Sequence, residues 1–191
     1  MIFEPTISNE EVGKMTATHF PGKIVVVDDT SQIEAAINVL RQSKIIGFDT
    51  ETRPSFKKGR INTIALIQLS TENICYLFRV FMLKDISLIV ALLEDESITK
   101  IGISIKDDFH SLNKITQCDH KNFVELQSFC PQYGIEEKSL RKIYALVFGE
   151  KVSKSQRLSN WESDQLTPAQ QMYAATDAWA CLNLYNYLIS K

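Results

Sequence analysis

Short apolar runs alternate with amphipathic stretches along most of the chain. Lys23–Asp29 (KIVVVDD), Ile45–Asp49 (IIGFD), Thr63–Ser70 (TIALIQLS), Ile74–Phe78 (ICYLF), Lys100–Ile105 (KIGISI) and Phe123–Leu126 (FVEL) are brief, and most are rich in β-branched residues. Such runs, bounded by polar positions, predict strands. Thr71-Glu72-Asn73 separates the third and fourth closely enough to predict a hairpin. Between and after the strands the pattern turns helical. Ser31-x-x-Glu34 reads as a capping box opening a helix through about Arg41, and Asp85 as the cap of a helix through about Leu93. Lys106–Asn113 predicts a short helix, Glu137–Val147 another, and Thr167 to the C-terminus a long one. That last helix has a strong start: Thr167 as cap, Pro168 at its first position and Gln170 three after the cap. Strands first, then alternation, then helices predict an α/β layered fold with a mixed sheet. Residues 1–22, with Pro5, Pro21 and Gly22, read as an N-terminal leader wrapping onto a single domain over 23–191.

Composition narrows the function classes. At 191 residues, 45% hydrophobic and 23% charged, the chain has the profile of one soluble globular domain, which excludes disordered, collagen-like and coiled-coil classes. Net charge is -2, so any anionic partner must be held by a local patch rather than by overall charge. Cys75, Cys118, Cys130 and Cys181 form no C-x-x-C pair and make no zinc spacing with His19, His110 or His120. They read as reduced thiols, and with no signal peptide or spanning segment in view the expected location is cytoplasmic. No G-x-G-x-x-G and no G-x-x-x-x-G-K-[ST] is present, so neither nucleotide-binding loop is supported.

The candidate chemistry lies in acids. Asp49 and Glu51 are two apart at the end of an apolar strand, so both carboxylates point to one face. Carboxylates so placed repel each other unless a cation lies between them, and a hard divalent ion suits them. The same spacing occurs at Glu94/Glu96 and Glu162/Asp164, in polar surroundings, so the first pair reads as a metal site or as a solvated strand end. Asp108 follows the strand KIGIS within Lys106-Asp107-Asp108; it is a site acid or a first-turn helix acid favoured by the helix dipole. Tyr173 and Asp177 stand four apart in the long helix, on one face. Met172, Ala174, Ala175, Ala178 and Ala180 around them allow close packing on a sheet.

Together FDTE (48–51), GISIKDDFHSL (102–112) and YAATDA (173–178) resemble the three motifs of the DEDD 3′–5′ exonuclease superfamily. Y-x-x-x-D marks its tyrosine subgroup, and the likeness runs to ribonuclease D and to the exonuclease domain of the Werner syndrome protein. ALIQL…CYLF (65–69, 75–78) and KSQRLSNWE…LTPAQQMYAATDA (154–178) extend the resemblance over residues 25–190. It implies a ribonuclease H-like fold, a mixed sheet of five or six strands with helices on both sides. It implies that Asp49, Glu51, Asp108 and Asp177 bind two divalent cations, Mg²⁺ or Mn²⁺, and that Tyr173 orients the attacking water. Asp107, beside Asp108, is an acid where the superfamily often has a small or neutral residue. The implied activity is hydrolysis of DNA or RNA from a 3′ end, single-stranded or recessed, releasing 5′-mononucleotides. A non-catalytic nucleic-acid-binding relative of the same fold is the alternative.

A polyanionic substrate needs local cations. Arg53, Lys57, Lys58 and Arg60 follow Asp49/Glu51, and Lys151, Lys154 and Arg157 precede Tyr173. These runs read as phosphate contacts or as solvated loops. Phe56 and Trp161 lie in the same loops; each is a candidate to stack on a base, although Trp161 reads first as an anchor of its loop to the core.

Overall fold

The computed structural model describes residues 2–52 and 63–191. Among these residues the strands are β1 (Lys23–Val27), β2 (Ile45–Thr52), β3 (Ile64–Ser70), β4 (Ile74–Arg79), β5 (Thr99–Gly102) and β6 (Phe123–Glu125). The α-helices are α1 (Asn9–Lys14), α2 (Ile33–Leu40), α3 (Ser87–Leu93), α4 (Ile105–Leu112), α5 (Leu126–Phe129), α6 (Leu140–Phe148) and α7 (Pro168–Ile189). One six-stranded sheet runs β1-β4-β3-β2-β5-β6. It is mixed, as expected: β2, β3 and β4 form an antiparallel meander, while β1, β5 and β6 add in parallel.

The alternation along β2 divides the molecule. Ile46 and Phe48 point into an apolar layer with Ile37 and Leu40 of α2, Leu92 of α3 and Phe109 of α4. Gly47, Asp49 and Glu51 point the other way, toward α7. A Cβ on Gly47 would lie 2.0 Å from the Ala178 carbonyl oxygen, so glycine here lets the backbone of α7 rest directly on β2. Ala174, Ala175 and Ala178, all fully buried, continue that close contact.

Most predicted elements form within a few residues of their expected ends. α7 has the expected cap: Thr167 accepts from the Gln170 N–H, and Gln170 reaches back to Thr167. The cap before α2 differs. Asp29, not Ser31, accepts from the Ser31 N–H and pairs with Gln32 in a capping box, and Ser31 spends its hydroxyl on Asp29. The ionised carboxylate is the stronger acceptor, and it starts a 3₁₀ turn (Thr30–Gln32) that leads into α2. Asp85 sits one residue before the residue at the N-cap of α3, where it accepts from Ser87 N–H and Oγ–H. α6 starts at Leu140, with Ser139 as cap, three residues later than Glu137.

The first 22 residues are more structured than their mixed composition suggests. Ser8 and Glu11 form a capping box that opens α1. Phe3 N–H donates to the Tyr133 carbonyl, and Thr18 N–H to the Lys151 carbonyl, tying the segment to distant loops. All four cysteines are buried and unpaired. No described helix is long and apolar enough to cross a membrane.

Candidate active site

Close packing of α7 on β2 brings three acids to one point. Asp49, Glu51 and Asp177 each offer a carboxylate oxygen within 4.8 Å of the others. Strand alternation aims the first two at α7; Gly47 and the alanines set the distance at which Asp177 meets them. Glu51 and Asp177 keep only 9% and 8% of their surface, and Asp49 is half-buried.

Asp108 arrives from the other side of the sheet. β5 ends at Gly102, and Ser104 takes a left-handed conformation (φ 59°) that turns the chain sharply into α4. The Glu125 carboxylate, at the end of β6, accepts from the Ser104 and Ile105 N–H groups and secures the start of that helix. Asp108 then lies one turn into α4 and accepts from the Thr50 hydroxyl at 2.5 Å. Thr50 stands between the two β2 acids, so Asp108 is tied to the strand that carries Asp49. Asp107, its neighbour, is exposed at the rim of the cleft.

The electrostatics are those of an unneutralised acid cluster. Burial pushes the Asp49 carboxyl up to about 7, against a backbone hydrogen bond from Thr50 that lowers it. Burial raises Asp108 to about 8, with the Asp49 charge adding and the Thr50 hydroxyl opposing. Glu51 rises to about 10 through burial first and then the charges of Asp49, Asp177 and Asp108; Arg157 pulls it down. Asp177 is raised by burial and by Asp49, and is opposed by the Tyr173 hydroxyl and by Lys154. The Tyr173 phenol is held firmly protonated by burial and by the nearby acids, foremost Asp177. Three carboxylates gathered in this way, with Asp108 beside them on the same cleft, provide an all-oxygen donor set suited to a hard divalent cation.

The acids open on a cleft of about 300 Å³ that Asp49, Asp108, Asp177 and Tyr173 share with Arg141, Lys154 and Arg157. Lys154 and Arg157, named from the sequence, are therefore beside the acids. Lys151 is not: its ammonium donates to the Gly13 carbonyl. Arg53, Phe56, Lys57, Lys58 and Arg60 lie outside the described residues. The stacking role considered for Trp161 is overturned. Its side chain is fully buried, and its ring lies 5.9 Å from that of Tyr173, centroid to centroid, so it backs the tyrosine instead of offering a face to a base.

Three residues went unnoticed in the sequence. Thr50 carried a signal, since it is the middle residue of the D-T-E triplet. Arg141 and Glu125 had none: Arg141 is one of two adjacent cations in α6 and Glu125 the one charge of β6, and only the fold brings Arg141 to the cleft and Glu125 to the start of α4.

Comparison with known proteins agrees with this geometry. Residues 24–191 match the profile of the 3′-5′ exonuclease family. The chain is 35% identical over 179 residues to the bifunctional 3′-5′ exonuclease/ATP-dependent helicase WRN of Mus musculus, covering 88% of this chain and 13% of that protein. It is 30% identical over 172 residues to a 3′-5′ exonuclease of Arabidopsis thaliana, covering 87% of this chain and 58% of that protein. The chain thus spans less than two thirds of either relative's length. The crystal structure of the Aedes aegypti Nibbler EXO domain superposes with a TM-score of 0.83 at 22% identity, covering 91% of this chain and 92% of that one. The fold is that of ribonuclease H-like exonuclease domains. The chain belongs to the 3′-5′ exonuclease family, whose members act on nucleic acid.

Proposed function

We propose that this member of the 3′-5′ exonuclease family is an active exonuclease of the tyrosine subgroup. It removes 5′-mononucleotides from the 3′ end of DNA or RNA, single-stranded or recessed, by a two-metal mechanism, and residues 23–191 form the catalytic unit behind the leader 1–22. The observation that carries the proposal is the gathering of Asp49, Glu51 and Asp177 within 4.8 Å, with Asp108 beside them on the same cleft.

The donor set fits the cations. Four buried or half-buried carboxylates repel one another, and among the described residues no histidine or cysteine joins the gathered acids to favour a softer metal. Asp49, Glu51 and Asp177 would hold one ion, and Asp49 with Asp108 the second. Bound there, Mg²⁺ or Mn²⁺ stabilises the charge that develops on the attacking and leaving oxygens of a phosphodiester.

The chain's own groups do the rest. The Tyr173 hydroxyl, protonated and on the cleft wall, donates to and orients the attacking water. Its ring is held by Trp161, which preserves that aim. Lys154 and Arg157, with Arg141, supply positive charge for the phosphates flanking the scissile bond. Arg53, Lys57, Lys58 and Arg60 are proposed as further phosphate contacts on the grounds of charge alone.

Digestion of matched 5′-labelled DNA and RNA strands tests the reading. With Mg²⁺ or Mn²⁺ the strands should shorten from the 3′ end with release of 5′-mononucleotides, and excess EDTA should stop it. Undiminished release in EDTA overturns the two-metal mechanism. Strand binding without release points to the non-catalytic alternative, and nicking of a closed circle to an endonuclease.

A further inference from the structure

Gln68, in the middle of β3, is fully buried, yet neither its side-chain Nε2 nor its Oε1 has a hydrogen-bond partner. Among the described residues no other side chain leaves both a donor and an acceptor unused in this way. Buried polar groups are ordinarily partnered, and an apolar side chain would fill this position without penalty. Its place in the sheet explains why a carboxamide stands there. Gln68 is the cross-strand partner of Asp49, and antiparallel partners project from the same face with their Cβ atoms about 5 Å apart.

The surroundings leave few alternatives. On that face the next pair along β2 and β3 is Gly47 opposite Ser70. Gly47 has no side chain, and the Ser70 hydroxyl donates to the Thr71 carbonyl. On the other side Gln68 faces Leu77 of β4. Buried Ala174 and Ala175 of α7 pack against Leu66 and Leu77 above. Of the neighbours in the sheet, the strong acceptors on that face are the carboxylate of Asp49, opposite, and that of Glu51, on the diagonal.

We propose that Gln68 is a positioning residue for the cation site, its Nε2–H donating to the Asp49 carboxylate from within the sheet when a divalent ion binds. The inference rests on the reading that Asp49 and Glu51 hold such an ion. Ligation fixes Asp49 as an ionised carboxylate, a strong acceptor for a carboxamide donor. A hydrogen bond to a ligating carboxylate orients it, and losing such a bond typically weakens metal binding 10- to 100-fold.

Mn²⁺ calorimetry and thermal melts on wild type, Asp49→Asn, Gln68→Met and Gln68→Leu test this without a turnover assay. Wild type should bind Mn²⁺ and Asp49→Asn should not; wild type without Mn²⁺ binding overturns the site reading, and this inference with it. Both Gln68 variants should melt, metal-free, at or above the wild-type temperature and bind Mn²⁺ about 10- to 100-fold more weakly. Wild-type Mn²⁺ affinity in Gln68→Met overturns the inference. So does failure of both variants to fold, because a side chain with no partner in the metal-free fold should not be needed to form it.

Discussion

The two faces of β2 are made of alternate residues of one short strand and do opposite things. On one face Phe48 stacks with Phe109 of α4 at 6.0 Å and meets Phe123 of β6 edge-on at 5.2 Å, between ring centroids. Most groups there are apolar and large, and the layer is held by area removed from water and by ring–ring contact. On the other face Gly47 and a row of alanines give up side-chain volume so that a helix backbone can touch the strand. Into that thin layer the chain places Asp49, Glu51, Asp177 and the unpartnered Gln68. Cohesion is concentrated on the first face and electrostatic strain on the second, separated by one peptide unit.

Substitutions on the two faces should therefore separate stability from chemistry. The largest effect is expected from Asp49→Asn: cleavage of a labelled strand falls below detection, while the metal-free melting temperature stays level or rises, because one repelling charge is gone. The same variant should lose the Mn²⁺-induced rise in melting temperature that wild type gains from ligand binding to the native state. Normal turnover with a full metal shift would remove Asp49 from the site.

Phe48→Ala, on the adjacent residue, should do the reverse. It should cost about 3–5 kcal/mol in denaturant unfolding through the cavity it leaves, with Mn²⁺ affinity of the folded fraction near wild type. A variant that lost metal affinity at unchanged stability would show that the two faces are not separable.

Tyr173→Phe comes next. Phe preserves the ring volume against Trp161, so folding and Mn²⁺ affinity should survive, while kcat falls ~30- to 1000-fold for the loss of one hydrogen bond in the transition state, ~2–4 kcal/mol. Wild-type turnover in this variant would reduce Tyr173 to a core residue.

The smallest effect is in the pH dependence. The acids have folded pKa values raised above an unfolded value near ~4. Their contribution to stability is therefore present below that value and lost as pH rises through about 7 for Asp49, 8 for Asp108 and 10 for Glu51. The metal-free melting temperature should fall between pH 5 and pH 9 (roughly the span of those shifts), less steeply in Asp49→Asn, and saturating Mn²⁺ should flatten the slope. A metal-free profile rising over that range would contradict the buried-cluster electrostatics.

Much of this was legible in local pattern. Short apolar runs located the strands, Thr167-Pro168 with Gln170 located the start of α7, and D-x-E and Y-x-x-x-D each put two groups on one face of one element. Such signals survive in the sequence because the interacting residues are at most four apart, and strand and helix geometry convert spacing into direction. Capping was less certain where two acceptors compete, as Asp29 and Ser31 show: the choice depends on acceptor strength and on the backbone path into α2.

What only the tertiary structure decided are the contacts between distant segments. Asp108 reaches Thr50 across 58 positions because Ser104 turns the chain in a left-handed conformation and Glu125, on another strand, secures that turn. Trp161 lies in a polar stretch of sequence yet is fully buried, against Tyr173, because the loop before α7 folds back over the helix; Arg79, itself buried, grips the Ser163 and Asp164 carbonyls to hold it there. Lys151 is drawn away from the cleft by the Gly13 carbonyl, and Gln68 is set opposite Asp49 by the antiparallel register of β2 and β3. The physical reason is the same in each case. Residue type and short-range period determine what a segment can be, but which polar group meets which depends on desolvation and packing that exist only once the sheet and α7 are in contact.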